Sequence, residues 1–174
     1  MDPEQQLDRL LSYEAIRQLV SRYAIAVDAR DTEAIAAMFV EDVRVAPGVT
    51  GRAALQASYD EMLARQRASI LNVGNHVIDF DDADHARGIV YCRAELDEGD
   101  EWIVQQIVYH DRYERHDGRW LFRGRRHLLF YGGDMLTRPN TLPPAEQPEY
   151  GTGRGSAPGS LVERTSEWRD AGST

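Results

Sequence analysis

The hydrophobic rhythm of this chain changes once, near residue 69. Before that point apolar side chains recur every three or four residues; after it they alternate. Leu7, Leu10, Leu11, Ile16, Leu19, Val20, Tyr23 and Val27 mark one amphipathic helix ending near Ala29. Asp31 is placed to cap a second, short helix carrying Ile35, Met38 and Phe39. DVRVAPGV reads as a short strand and turn. Thr50 is placed to cap a third helix with Leu55, Tyr59, Met62 and Leu63 on one side.

After Ser69, the segments ILNVGNHVIDF, ARGIVYCRAEL, EWIVQQIVYHDRYER and RWLFRGRRHLLFY read as strands. DDADH, DEGD and HDG between them are hairpin signals. Three helices followed by an antiparallel meander is an α+β plan, and a long curved sheet can wrap the helices and leave a pocket. From Arg138 onward Pro, Gly, Ser, Thr and Glu dominate. Residues 1–138 are therefore expected to form the domain, and 139–174 an extended tail with Trp168 as its anchor.

Composition removes whole classes of function. The 174 residues suffice for one domain with a sizeable core and a single small-molecule pocket. A net charge of -9 and a pI of about 5.0 argue against nucleic acid and anionic membrane as main partners. No apolar run reaches membrane-span length, and the start, MDPEQQLDRLL, is acidic and polar, so a cytoplasmic location is expected. Cys92 is the single cysteine, which excludes an internal disulfide and a multi-cysteine zinc site. All 20 basic residues are arginine, so lysine Schiff bases and P-loops are excluded. The histidines lack metal-ligand spacing, and neither metal nor cofactor is expected. Acid–base chemistry by Asp, Glu, His, Tyr and Arg remains, or binding without chemistry.

Tyr23 and Asp28 end the first helix where leucines would serve a core. Five residues separate their directions by about 140°, so the helix alone does not bring them together. The plain alternative is a packed tyrosine with a satisfied hydroxyl and a surface acid.

Four segments sharpen the choice: RYAIAVDARD, NVGN, YHDRYERHDGRW and the strand that follows. With the order of elements, they resemble the SnoaL-like branch of the nuclear-transport-factor-2-like superfamily, over roughly residues 7–138. That branch includes scytalone dehydratase, hexachlorocyclohexane dehydrochlorinase and bile-acid dehydratase, with ketosteroid isomerase more distant. The resemblance implies a cone-shaped curved antiparallel sheet wrapped around three N-terminal helices, open at one end. It implies pocket-facing roles for Tyr23, polarising an oxygen, and for Asp28, the acid of a His–Asp dyad. The dyad histidine, two residues before a glycine in this branch, maps to Asn72, whose amide cannot accept a proton near neutral pH.

Strand alternation puts Asn72, Gly74 and His76 on one face, which makes His76 one replacement for that histidine. His127 is another; it shares a face with Arg125, which matches a pocket arginine of the dehydrochlorinase, and with Leu129. Trp120 and Phe122 set the opposite phase on the same strand, so a bulge at Gly124 is expected. Alternatively Asp28 acts alone, with Tyr23 and Asn72 as donors to an oxyanion. Phe39, Ile107, Tyr109 and Leu129 are expected to line the pocket. The implied activity is a cofactor-independent lyase or isomerase on a small, largely apolar oxygenated molecule. A non-catalytic binding or assembly module on the same fold is the alternative. A homo-oligomer, dimer or trimer, is expected through the outer sheet face, where Ile89, Tyr91, Val108 and His110 lie.

Overall fold

The computed structural model describes residues 1–137, 141–144 and 153–156. The expected Trp168 anchor and most of the tail lie outside them. Helix α1 (Pro3–Asp28) starts in a capping box between Asp2 and Gln5, with Pro3 in its first turn. Ser12, Ile16, Leu19, Val20, Tyr23, Ala26 and Val27 form its buried stripe. Leu7, Leu10 and Leu11 are exposed and lie off that stripe, contrary to expectation. Arg9 takes the core-facing place instead, its guanidinium 4.0 Å from the centre of the Phe80 ring.

Helix α2 (Thr32–Ala37) is capped by Asp31, which accepts from the Ala34 N–H at 2.9 Å. Strands β1 (Arg44–Ala46) and β2 (Val49–Thr50) form a small hairpin. Helix α3 (Arg52–Leu63) follows. Thr50 does not cap it: Gly51 holds the cap position, with no side-chain bond, because Thr50 is committed to β2.

The main sheet is a meander of β3 (Ala68–Phe80), β4 (His85–Asp97), β5 (Trp102–His116) and β6 (Arg119–Asp134), all antiparallel, with β7 (Gly155–Ser156) added beside β6. It is not closed; β3 and β7 are its edges. The β5–β6 turn puts Asp117 at φ 50° and Gly118 at φ 76°, the left-handed pair that a two-residue hairpin needs. The architecture is α+β, with the helices against one face of a long curved sheet, as expected.

Bulges decide which side chains reach the interior. On β3 the register shifts between Val73 and His76. Before the shift Leu71 and Val73 pack on the core; after it Ile78 and Phe80 do. On β6 an extra residue falls at Arg123–Gly124 and another at Phe130. The first switches the inward set from Trp120 and Phe122 to Arg125, His127 and Leu129, at the expected glycine. Tyr113, Phe122, Ile16, Ile35, Ile107 and Leu129 are among the fully buried side chains, each contributing about 1.5–3 kcal/mol by leaving water. Ile89, Tyr91, Leu128 and Tyr131 surround Val108 and Phe130 in a separate cluster on the outer face.

Candidate active site

A cavity of about 430 Å³ opens between α3 and the sheet. Val27, Met62, Leu63, Leu71, Leu96 and Ile107 give it apolar walls, and Tyr23, Tyr109 and His127 give it polar groups. Tyr23 comes from the last turns of α1, Tyr109 from β5 and His127 from β6, past the first bulge. The Tyr23 and Tyr59 hydroxyls are 2.7 Å apart. Tyr59 is on α3 and does not line the cavity, so a bond donated by Tyr59 leaves the Tyr23 O–H free to donate to a ligand. Burial pushes both phenols up, and Tyr59 and Tyr109 well up, so these groups stay protonated at neutral pH. At Tyr23 the neighbouring Arg125 charge works against that rise. Burial and then Arg125 push His127 down to about 4, which leaves a neutral imidazole in the pocket.

Beneath these groups lies a buried polar cluster. Arg125 donates from Nε and Nη2 to the two oxygens of Asp111, at 2.8 and 2.7 Å. Their side chains are 4% and 0% exposed. The Arg125 guanidinium stacks 4.1 Å from the ring centre of Tyr109, 4.3 Å from that of Tyr23 and 4.4 Å from that of Phe122. Burial works against its charge, and the Asp111 carboxylate more than restores it. The Tyr113 hydroxyl donates to Asp111 Oδ2 at 2.7 Å and is 3.2 Å from His76 Nε2. With its single proton spent on Asp111, the phenol oxygen accepts from an Nε2–H of His76. Burial pushes His76 down to about 4 as well. Gly88 makes this meeting possible: a Cβ there would lie 2.8 Å from the Tyr113 hydroxyl and 3.1 Å from His76 Nε2.

The expected site residues therefore divide. Tyr23, His127, Ile107 and Tyr109 line the cavity. Arg125 is not among its lining residues; it lies under the floor, tied to Asp111. Phe39 and Leu129 are core residues, 3% and 0% exposed, and do not line the cavity. Asn72 is exposed on the outer face, because the β3 bulge puts it out of phase with His76. His76 is inward but bonded within the buried cluster. Leu71, not Asn72, meets Asp28: its N–H donates to both carboxylate oxygens, at 3.1 and 3.2 Å. Asp28 is half-buried and borders the cavity through Val27 and Leu71, without lining it. Burial raises its carboxyl above the ordinary value, against the opposing effects of the Leu71 N–H and the Ser69 hydroxyl.

Asp111, Tyr113 and Tyr59 were not legible as site residues. The signal for the first two was present: they continue the alternation of Ile107 and Tyr109, so a charged residue had to face the core. Gly153 supplies part of the wall, its carbonyl accepting from Gln105 Nε2 at 3.2 Å. Arg154 holds this segment by pairing with Glu98 at 2.8 Å and Glu101 at 2.9 Å. Gly153 has φ 69°, and a Cβ on it would lie 2.0 Å from Gln105 Nε2, so a larger residue there is strained and displaces that amide. Among the described residues no group of three His, Cys, Asp or Glu side chains converges to hold a metal ion, and no helix is long and apolar enough to cross a membrane.

The model of the SnoaL-like domain matches residues 8–126. Gamma-hexachlorocyclohexane dehydrochlorinase of Sphingobium indicum is 32% identical over 132 residues, 72% of this chain and 85% of the relative. Hexachlorocyclohexane dehydrochlorinase 1 of the same species is also 32% identical, over 123 residues, 66% of this chain and 79% of the relative. Among solved structures, a hexachlorocyclohexane dehydrochlorinase of type 3 from Novosphingobium barchaimii superposes with a TM-score of 0.68 at 28% identity, covering 76% of this chain and 96% of that one. A structure described as a scytalone dehydratase from Novosphingobium aromaticivorans superposes with a TM-score of 0.69, over 90% of this chain and 99% of that one. At 23% identity, that likeness speaks for the fold alone. On the family match, these relatives and the shared helix-and-sheet architecture, the chain belongs to the SnoaL-like family, a branch of the nuclear-transport-factor-2-like superfamily.

Proposed function

We propose that this protein is a cofactor-independent lyase that eliminates water or a halide from a small, largely apolar carbonyl compound. The observation that carries this reading is the cavity itself, where a neutral imidazole, His127, and a hydroxyl donor, Tyr23, face a space walled by Val27, Leu71, Leu96 and Ile107. Tyr23, supported by Tyr59, donates to the substrate carbonyl oxygen. His127 takes the proton from the carbon beside the carbonyl, and the electron pair moves onto the oxygen as an enolate. The enolate collapses and expels the group on the next carbon; the imidazolium returns its proton when that group is hydroxide. Asp28, at the rim, exchanges protons with solvent. The dehydrochlorinase relatives support elimination as the reaction class. We place the protein in the cytoplasm.

The test is a panel of β-hydroxy and β-chloro ketones with hexachlorocyclohexane, followed by enone absorbance and by deuterium exchange at the α-carbon. Elimination or exchange is expected on at least one ketone, with Tyr23→Phe slowing it about 100-fold. Asp28→Asn should keep the fold. Burial raises its carboxyl, so the ionised form costs stability at neutral pH, a cost that fades as pH falls; the amide removes it. A collapse of activity in Asp28→Asn with His127 variants unaffected would transfer the base role to Asp28. One observation favours a binding module instead: apolar Leu71 occupies the place beside Asp28. Ligands bound tightly, without exchange or turnover anywhere on the panel, would establish that second reading.

We also propose a homo-oligomer, dimer or trimer, through the outer sheet face, on which Ile89 and Tyr91 flank buried Val108. Light scattering at micromolar concentration should give a multiple of the 19.7 kDa chain mass, and a monomer mass would overturn this assembly.

A further inference from the structure

The proposed reaction builds negative charge on an oxygen at Tyr23. Arg125 lies directly under that residue without lining the cavity. Asp111 occupies the Nε–Nη2 edge of the guanidinium, and the rings of Tyr23, Tyr109 and Phe122 cover its surroundings at 4.1 to 4.4 Å. The remaining nitrogen, Nη1, is buried and has no hydrogen-bond partner among the described residues. Such a cation cannot turn toward a substrate without losing two charged hydrogen bonds. Its field, however, reaches the cavity through two rings that line it.

We propose that Asp111 and Arg125 form a positioning pair: Arg125, anchored by Asp111, presents fixed positive charge through the Tyr23 and Tyr109 floor to an oxyanion bound at the Tyr23 hydroxyl, without touching the substrate. The inference rests on the reading of Tyr23 as the oxygen-binding group. At Tyr23 the guanidinium outweighs the Asp111 carboxylate, as the opposing directions of their effects on that phenol agree. The low-dielectric setting makes the field count, since water cannot screen a cation whose side chain is 4% exposed. The other charged groups around the cavity are Glu61 on α3, Arg65 just after it and Glu98 beyond β4, all in its lining, and Asp28 at its rim. They belong to both the native and the altered protein compared below. The pair also assigns a substrate class: molecules that react through an enolate-like oxygen gain from it, and halogenated rings without oxygen do not.

The test uses 4-nitrophenol as an oxyanion probe, because its phenolate absorbs where the phenol does not. The native protein should bind it as the phenolate and lower the pH at which the bound probe ionises. Arg125→Met with Asp111→Asn removes both charges, keeps apolar packing under the rings and leaves an amide oxygen to accept from Tyr113. In that double variant the bound probe should ionise about tenfold less readily, roughly one pH unit higher. If the double variant does not fold, Arg125→Gln with Asp111→Asn carries the same expectation. A native protein that binds the probe as neutral phenol, or not at all, sinks the oxygen-site reading and this inference with it. A native protein that binds phenolate, matched by the double variant at the same pH, overturns the positioning pair alone. Tyr23→Phe then serves as control: the oxygen site remains established if this variant loses the phenolate preference.

Discussion

Arg125→Met alone should cost about 3–5 kcal/mol of folding stability, because it leaves the Asp111 carboxylate buried without its partner. Asp111 has a fully buried side chain, and its remaining bond, from the Tyr113 hydroxyl, cannot neutralise a charge. Domains of this size have about 5–15 kcal/mol in total, so the variant approaches the unfolding threshold. Urea unfolding followed by tryptophan fluorescence measures the loss. Arg125→Met with Asp111→Asn should recover most of the loss, because replacing both members of a buried pair is far milder than removing one. A single variant as stable as the native protein would mean that Asp111 finds another counter-ion or water.

His127→Asn should lower turnover of an active substrate by about 10² to 10⁴, the usual contribution of a positioned base. The pH profile gives a second, sharper expectation. Because burial and Arg125 push this imidazole down to about 4, the base is fully available at neutral pH. The rate should be flat near neutral pH and fall as pH drops through about 4. The asparagine variant should lack that acid limb. Stability carries the same signature with a stated sign: an imidazole pushed below its ordinary value of 6.5 binds fewer protons folded than unfolded. Stability therefore declines as pH falls from about 6.5 toward 4, and His76, pushed down in the same way, adds to the decline. An unchanged acid limb in His127→Asn would remove His127 from the base role.

The helices, the meander and the family were legible because each rests on a local pattern: three-and-four spacing, alternation, or a hairpin signal. The site was legible where alternation ran unbroken, as through Ile107 and Tyr109. It failed at β3, where the shift between Val73 and His76 inverts the phase, so Asn72 points out and Leu71 meets Asp28. The β6 bulge is readable because Trp120 and Phe122 conflict with Arg125 and His127, with Gly124 between them; on β3 a similar conflict of Leu71 and Val73 with Ile78 and Phe80 across Gly74 is masked by apolar Ile70 and Val77 in the opposite phases. Leu7, Leu10 and Leu11 misled for another reason. Their spacing fits a buried stripe, but nothing in a helix's own sequence says where its partner surface stops.

The irregularities in β3 and β6 also bear on how such a cone diversifies. A strand with an even pleat can change its interior only one side chain at a time. Inserting or deleting one residue near a glycine such as Gly74 or Gly124 exchanges the whole inward set beyond it, while the ladder on either side persists. Single-residue length changes thus act here as wholesale substitutions of the chamber's chemistry. Descendants of one scaffold can then hold different reactive groups at the same depth, and an ungapped comparison through these strands pairs interior residues of one protein with exterior residues of another.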